Sequence, residues 1–345
     1  MKRIHKHVRT FFRVFKFWAG ATRASFASAS MVPVVLGGSV AAAHGAFAVG
    51  PFLLSAVGVL VLHLAANLVN DYYDYTSGAD VIRDSRTPLY GGGTILVDGT
   101  LIPRQVSRAY RFLYAVALLA GIALAAMRGT GGAGVLAFGL AGSLCGYFYT
   151  APPLHLSYVG LGEATIGLCF GPLTVAGVYF VQTGRLGAEA VEALVASLPV
   201  GLLVAAIVFV NEFPDRASDG AAGKRTVVVR LPLRAALACY AALVLAPFAV
   251  IAGAIRFGLL PHGAALAFLG LPLAMLGIRN LGAAYATSGT RRAGAGASSP
   301  GDHESSTACT AYVTSRQVVA SISTILLHLA VGLLLSLAFV LQLSS

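Results

Sequence analysis

Residues 67–80 read NLVNDYYDYTSGAD and close an apolar run that begins near residue 51. A helix rising about 1.5 Å per residue needs roughly 20 apolar residues to cross the hydrocarbon of a bilayer. Asp71, Asp74 and Asp80 therefore stand at the end of a segment long enough to span a membrane. Asn67, Asn70 or Asp71, and Asp74 are three or four residues apart, so a helix continuing out of the span carries them on one face. Ionisable groups at a membrane edge are costly, which makes this stripe a functional candidate.

The rest of the chain sets the context. Of 345 residues, 57% are hydrophobic and 11% charged, whereas a soluble domain carries about a quarter charged residues. About nine apolar segments are long enough to cross a bilayer, near 24–43, 51–70, 107–127, 131–149, 160–181, 190–210, 232–254, 259–283 and 317–342. The fold class is thus all-α integral membrane, since backbone exposed to lipid must satisfy its own hydrogen bonds. The basic, aromatic residues 1–23 precede an apolar stretch too long for a signal-peptide core. They read as an interfacial segment, with a single transmembrane domain over 24–342.

With the N-terminus in the cytoplasm, 21 of the 24 Lys and Arg fall on or near the inner side, and Arg128, Arg185 and Arg256 do not. The net charge of +11 therefore reports orientation rather than nucleic-acid binding. Cys145, Cys169, Cys239 and Cys309 are scattered and form no ligand spacing. Residues 286–310 are small, polar and of low complexity, and read as a disordered inner loop.

Of thirteen Asp and Glu, eight lie in two inner segments. Asp71, Asp74, Asp80, Asp84 and Asp98 follow span two, and Glu212, Asp215 and Asp219 follow span six. In VFVNEFPDRASD, Asn211, Asp215 and Asp219 recur every fourth residue, giving a second stripe of oxygens. Neighbouring carboxylates repel unless protonated or bridged by cations. An oxygen-only set suits a hard cation such as Mg²⁺, which completes its octahedron with water and phosphate. Arg83 and Arg86 follow the first stripe, and Lys224 and Arg225 the second, placing cations beside the carboxylates for anionic oxygens. Together these features describe a metal–diphosphate site; the plain alternative is two solvated loops.

The two motifs, N70-D71-x-x-D74 extending to Asp80 and N211-E212-x-x-D215-x-x-x-D219, resemble the paired aspartate motifs of the UbiA superfamily of intramembrane prenyltransferases. Residues 158–184, YVGLGEATIGLCFGPLTVAGVYFVQTG, and 211–231, NEFPDRASDGAAGKRTVVVRL, resemble the branch of 1,4-dihydroxy-2-naphthoate polyprenyltransferases. The resemblance implies nine helices around a central cavity, aspartate loops capping its cytoplasmic end, Mg²⁺ and a polyprenyl diphosphate donor. It implies that Asn70, Asp71 and Asp74 bind one Mg²⁺–diphosphate unit and Asn211, Asp215 and Asp219 the other, with Asp80 near the acceptor. It also implies an aromatic acid partner in a bacterial or archaeal cell membrane, with the active site on the cytoplasmic side. Glu212 departs from the Asp or Asn frequent in relatives, and Arg23 is followed by Ala rather than Pro.

An allylic diphosphate ionises when its departing oxygens are stabilised, and aromatic faces shield the cation left behind. Tyr72, Tyr73, Tyr147 and Tyr149 are candidates, though interfacial tyrosines also serve as plain anchors. Asp80 is the candidate base or orienter for an acceptor hydroxyl. Loss of the ring carboxylate from a naphthoate acceptor would give a demethylmenaquinol. His63, one turn before Asn67, is a candidate for the acceptor pocket or for packing. Glu163, at the start of span five, has the same two readings, because a helix N-terminus stabilises a carboxylate. His328 reads as structural. GAAGKRT (220–226) lacks the spacing of a nucleotide-binding loop, and Gly91–Gly93 read as a turn. A 4-hydroxybenzoate, homogentisate or lipid acceptor is the alternative within the enzyme class. A transporter is the alternative outside it, but transporters place such acids near the bilayer midplane.

Overall fold

Because α-helices satisfy their own backbone polar groups, a chain of apolar runs separated by Gly, Pro and polar turns folds as a helical bundle. The computed structural model describes residues 17–82, 94–292 and 302–342, and no strand occurs among them. Nine long helical stretches order the bundle: α1 (Ser28–Ala43), α2 (Val49–Thr76), α3 (Pro103–Arg128), α4 (Gly132–Phe148), α5 (Gly162–Thr183), α6 (Ala190–Glu212), α7 (Leu233–Arg256), α8 (His262–Arg292, its first residues 3₁₀) and α9 (Asp302–Leu341). Seven stretches meet the length and hydropathy of a membrane span. One of them, Pro103–Phe148, turns at Gly129–Gly131 and so holds α3 and α4, whereas α1 has 16 residues and is apolar but shorter. The count of nine spans read from the sequence thus corresponds to these seven stretches, one of them paired, and to the short α1.

The opening motif does not leave the helix where its apolar run ends. Nothing between Leu62 and Thr76 breaks a helix, so α2 continues to Thr76 and stops only before Gly78, which takes the left-handed φ of 84°. The whole polar stripe is therefore helical.

α6 is apolar on every side, and 72% of its central window is buried, as expected for a helix surrounded by others. With α1, α5, α7, α8 and α9 it forms the main core, in which Leu36, Leu203, Phe209, Tyr240, Ile251 and Phe339 are almost fully buried. A second cluster joins α2 to α3 through Leu68, Val106 and Tyr110 and receives Trp18 from the N-terminal segment. Between the two clusters, α1 to α6 enclose a cavity of about 870 Å³.

Two expectations need adjustment. Residues 1–16 of the basic N-terminal segment lie outside the described residues, and the backbone is helical at 17–21. The stretch 286–310, read as a loop from composition, is narrower in structure. α8 runs to Arg292 and α9 starts at Asp302, leaving 293–301 outside the described residues. A helix already nucleated in a span adds further residues at little cost, and Ala-containing polar sequence does not oppose it.

Candidate active site

The cavity is apolar along most of its length and polar at one end. Val59, Leu62, Leu118, Val135, Leu140 and Leu173 line the former; Asn70, Asp74, Asp80, Asn211, Glu212, Asp215, Asp219 and Lys224 line the latter. Both sequence stripes thus converge, because α2 and α6 end on the same side of the bundle. Asp80 reaches the cavity from the short helical turn Ala79–Ile82. Asp215 and Asp219 reach it from the turn that carries Arg216–Ala221. Ser321 of α9 donates to Asn211 Oδ1 at 2.9 Å, and Gln317 Nε2 donates to the Val210 carbonyl at 2.6 Å, fixing the end of α6.

Asp74 ties the stripes together. Its Oδ2 accepts from Lys224 Nζ and from Asn70 Nδ2, both at 3.2 Å, and its Oδ1 accepts from Tyr158 Oη at 2.8 Å. Lys224 also lies 5.6 Å from the centre of the Tyr158 ring, within cation–π range. Burial pulls the Lys224 pKa down, but Asp74 and Asp219, followed by Tyr149 and Tyr158, more than offset this and hold it above the ordinary lysine value. The ammonium therefore stays charged. Burial, then the Asp74 carboxylate, raises the Tyr158 phenol, so it remains a donor.

Asp71 faces a different partner. It is 1% exposed and ion-paired with Arg23, whose Nη2 also donates to Asn70 Oδ1 at 3.3 Å. Asn67 lines the cavity and donates to the Thr22 carbonyl at 2.9 Å. His63 lines the deeper, apolar part and Tyr149 the polar end. Burial, and after it the Glu212 carboxylate, raises the Tyr149 phenol.

Other expected residues stand elsewhere. Tyr73 and Tyr147 hydrogen-bond each other at 2.8 Å and meet Tyr72 and Tyr114 edge-on; of these four, only Tyr114 lines the cavity. On a helix the residue before Asp74 points to a different face, which is why adjacency in sequence misleads here. Glu163 is buried, lies beside Glu212 and accepts from the Val227 backbone N–H at 3.0 Å, tethering the start of α5 rather than lining the cavity. Arg225 is exposed, away from the cavity. Arg83 and Arg86 lie outside the described residues. Cys145 and Cys169, which showed no ligand spacing, both line the cavity. Arg23, Tyr158 and Thr150 were not singled out as site residues. Thr150 Oγ1 accepts from Asn70 at 3.3 Å, and no periodicity reaches from one helix to another to reveal such partners.

The donor set around the polar end is all oxygen. Among the described residues no three His, Cys, Asp or Glu side chains converge closely enough to hold an ion alone. An all-oxygen set is the kind that hard cations such as Mg²⁺ take, with water and phosphate oxygens completing the octahedron.

Comparison with known proteins places this geometry. Residues 30–292 match the model of the UbiA prenyltransferase family. The 1,4-dihydroxy-2-naphthoate octaprenyltransferase of Bacillus subtilis (strain 168) is 28% identical over 251 residues, covering 73% of this chain and 77% of that one. The UbiA prenyltransferase domain-containing protein 1 of Homo sapiens is 34% identical over 225 residues, covering 65% and 63%. The chain thus spans under two thirds of the vertebrate relatives. The fold is also that of a UbiA homolog from Aeropyrum pernix K1, with a TM-score of 0.60 at 17% identity over 92% of this chain and 98% of the other. A UbiA homolog from Archaeoglobus fulgidus bound to DMAPP and Mg²⁺ gives 0.55 at 15% identity over 91% and 98%.

Proposed function

Because this chain belongs to the UbiA prenyltransferase family, whose members are membrane prenyltransferases, we propose that it transfers a polyprenyl chain from its diphosphate to 1,4-dihydroxy-2-naphthoate. One observation carries the reading: two oxygen-rich stripes from α2 and α6 meet at one end of an apolar cavity of about 870 Å³ and are joined there by Lys224 and Asp74 at 3.2 Å. The polar end suits a diphosphate, and the apolar remainder suits a lipid chain together with an aromatic ring. The naphthoate acceptor is supported by the named activity of the Bacillus subtilis relative, and Mg²⁺ by the ion in the Archaeoglobus fulgidus homolog.

Asn70, Asp74, Asn211, Asp215 and Asp219 would hold Mg²⁺ with the donor's phosphates. Bound there, the ion supplies positive charge against the departing diphosphate oxygens. Lys224 adds a fixed ammonium to the same place, in a water-poor environment where such charge is most effective. Asn70 and Tyr158 hold Asp74 in orientation, and Arg23 holds Asp71. The Tyr149 ring, at the cavity wall, would shield the allylic cation. Asp80 is the proposed acceptor-side base, taking the hydroxyl proton as the ring carbon bonds C1 of the chain. The ring carboxylate then leaves as carbon dioxide, its electron pair restores the aromatic ring, and Asp80 returns the proton to the ring oxygen, giving a demethylmenaquinol and free diphosphate. The stripes are proposed to face the cytoplasm, in line with the clustering of basic residues on that side.

The test is mass spectrometry of the lipid products after membranes containing the protein are incubated with a polyprenyl diphosphate and a panel of aromatic acids. A demethylmenaquinol from the naphthoate is expected. A product from 4-hydroxybenzoate or homogentisate alone would overturn the acceptor assignment and leave the prenyltransferase intact.

A further inference from the structure

Deeper in the cavity, one helical turn before Asn67 and two before Asn70, stands a second polar group. His63 lies seven residues before Asn70 on α2, two helical turns or about 10 Å along the axis. Its Nδ1 meets Ser30 Oγ of α1 at 2.6 Å, and the serine is fully buried. Its Nε2 is covered by neighbouring atoms and has no hydrogen-bond partner among the described residues, so a ligand reaches it only by displacing that cover. The imidazole meets Phe170 edge-on, with ring centres 5.5 Å apart and planes at 71°. Phe170 belongs to the π-helical segment Cys169–Leu173, which interrupts α5 at this depth. His63, Phe170 and Asn67 all line the cavity.

Pro172 accounts for the irregular turn at Cys169–Leu173, but the fold supplies no partner for His63 Nε2. A buried polar atom without a partner is costly, and a π-helical turn is a local irregularity found often at functional sites. Both occur at the same point of an otherwise apolar wall, which is what a site completed by its ligand looks like. With Nδ1 engaged by Ser30, Nε2 presents either an N–H or a lone pair. A phenolic hydroxyl, which both donates and accepts, answers either form; a prenyl tail answers neither.

We propose that His63, oriented by Ser30, binds a ring hydroxyl of the aromatic acceptor through Nε2, with Phe170 against the ring. The near edge of the ring then faces the donor carbon at the level of Asn70, and the far hydroxyl reaches His63. This subsite reads the acceptor, not the donor, and it rests on the aromatic-acceptor reading above.

The experiment is steady-state kinetics of the full-length protein in detergent, using a polyprenyl diphosphate with a dihydroxy aromatic acid and, separately, its ether methylated at the hydroxyl remote from the attacking carbon. The wild type is expected to prefer the free hydroxyl by about tenfold in kcat/KM, the value of one well-made buried hydrogen bond. His63→Leu is expected to reduce that preference to about twofold or less, raising the acceptor KM and leaving the donor KM unchanged. His63→Gln restores part of the preference, and Ser30→Ala loses part. Wild-type preference in His63→Leu, or an equal rise in donor and acceptor KM, would overturn the proposal, since a packing role moves both. If His63→Leu yields no folded protein, undiminished preference in both Ser30→Ala and His63→Gln overturns it instead. If homogentisate replaces the naphthoate as substrate, that acid and its ether serve the same comparison, and only the naphthoate assignment falls; a product from 4-hydroxybenzoate alone, which has no hydroxyl remote from the attacking carbon, overturns the proposal as well.

Discussion

Arg23 reaches Asp71 from a left-handed backbone, φ 53° and ψ 41°, a conformation that costs a residue with a side chain about 1 kcal/mol or more. The cost is offset because the guanidinium answers a carboxylate that is 1% exposed. Arg23→Ala removes the cation paired with that buried carboxylate and should destabilise the protein by about 3–5 kcal/mol. Arg23→Leu combined with Asp71→Leu should recover most of the loss while staying inactive. Thermal unfolding in detergent beside an assay of diphosphate release reads both outcomes, and a double variant as unstable as the single one would refute the pairing. The sequence spacing showed Asn70, Asp74, Asn211, Asp215 and Asp219 because helical periodicity aligns residues one turn apart. It was silent on Arg23, which lies 48 positions from Asp71, and on Tyr158, 84 positions from Asp74, since those pairings arise from packing between elements.

α5 and α6 owe their contact to residues without side chains. A Cβ at Gly201 would lie 2.5 Å from the Gly167 carbonyl oxygen and 3.1 Å from Gly171 Cα, and one at Gly171 would lie 2.9 Å from the Ser197 carbonyl oxygen. Small residues at such spacing let helix backbones approach within a membrane. Gly201→Val should therefore separate the helices at a cost of about 1–3 kcal/mol, lowering the melting temperature and, by moving Asn211 and Glu212, the activity as well. Gly253→Ala on α7, where a Cβ meets nothing within 4 Å, should be neutral or stabilising by up to about 1 kcal/mol. Equal melting temperatures for the two variants would exclude the close approach as a constraint. Apolar runs announced each helix and its approximate ends, as length in hydrocarbon demands. They did not announce the π-helical turn at Cys169–Leu173 or which face of α2 meets the cavity, so Tyr73 and Tyr147 were expected at the site and stand in the tyrosine cluster instead.

For the molecule as a whole, the carboxylates of the first stripe have cationic partners within the chain, Arg23 for Asp71 and Lys224 for Asp74. Within α2 these ion pairs already offset charge that a bound ion would otherwise balance. Chelation of divalent cations should abolish diphosphate release, with recovery on adding Mg²⁺, yet shift the melting temperature by no more than about 2 °C. A fall of 10 °C or more would show instead that the ion is structural. The cavity's lopsided polarity, hydrocarbon along its length and charge at one end, has a further bearing on how turnover finishes. The two products have opposite solvent preferences: diphosphate belongs to water and the alkylated ring to the bilayer. In the proposed reaction each would be drawn off into its own phase, so neither accumulates beside the other and the reverse reaction is starved by partition.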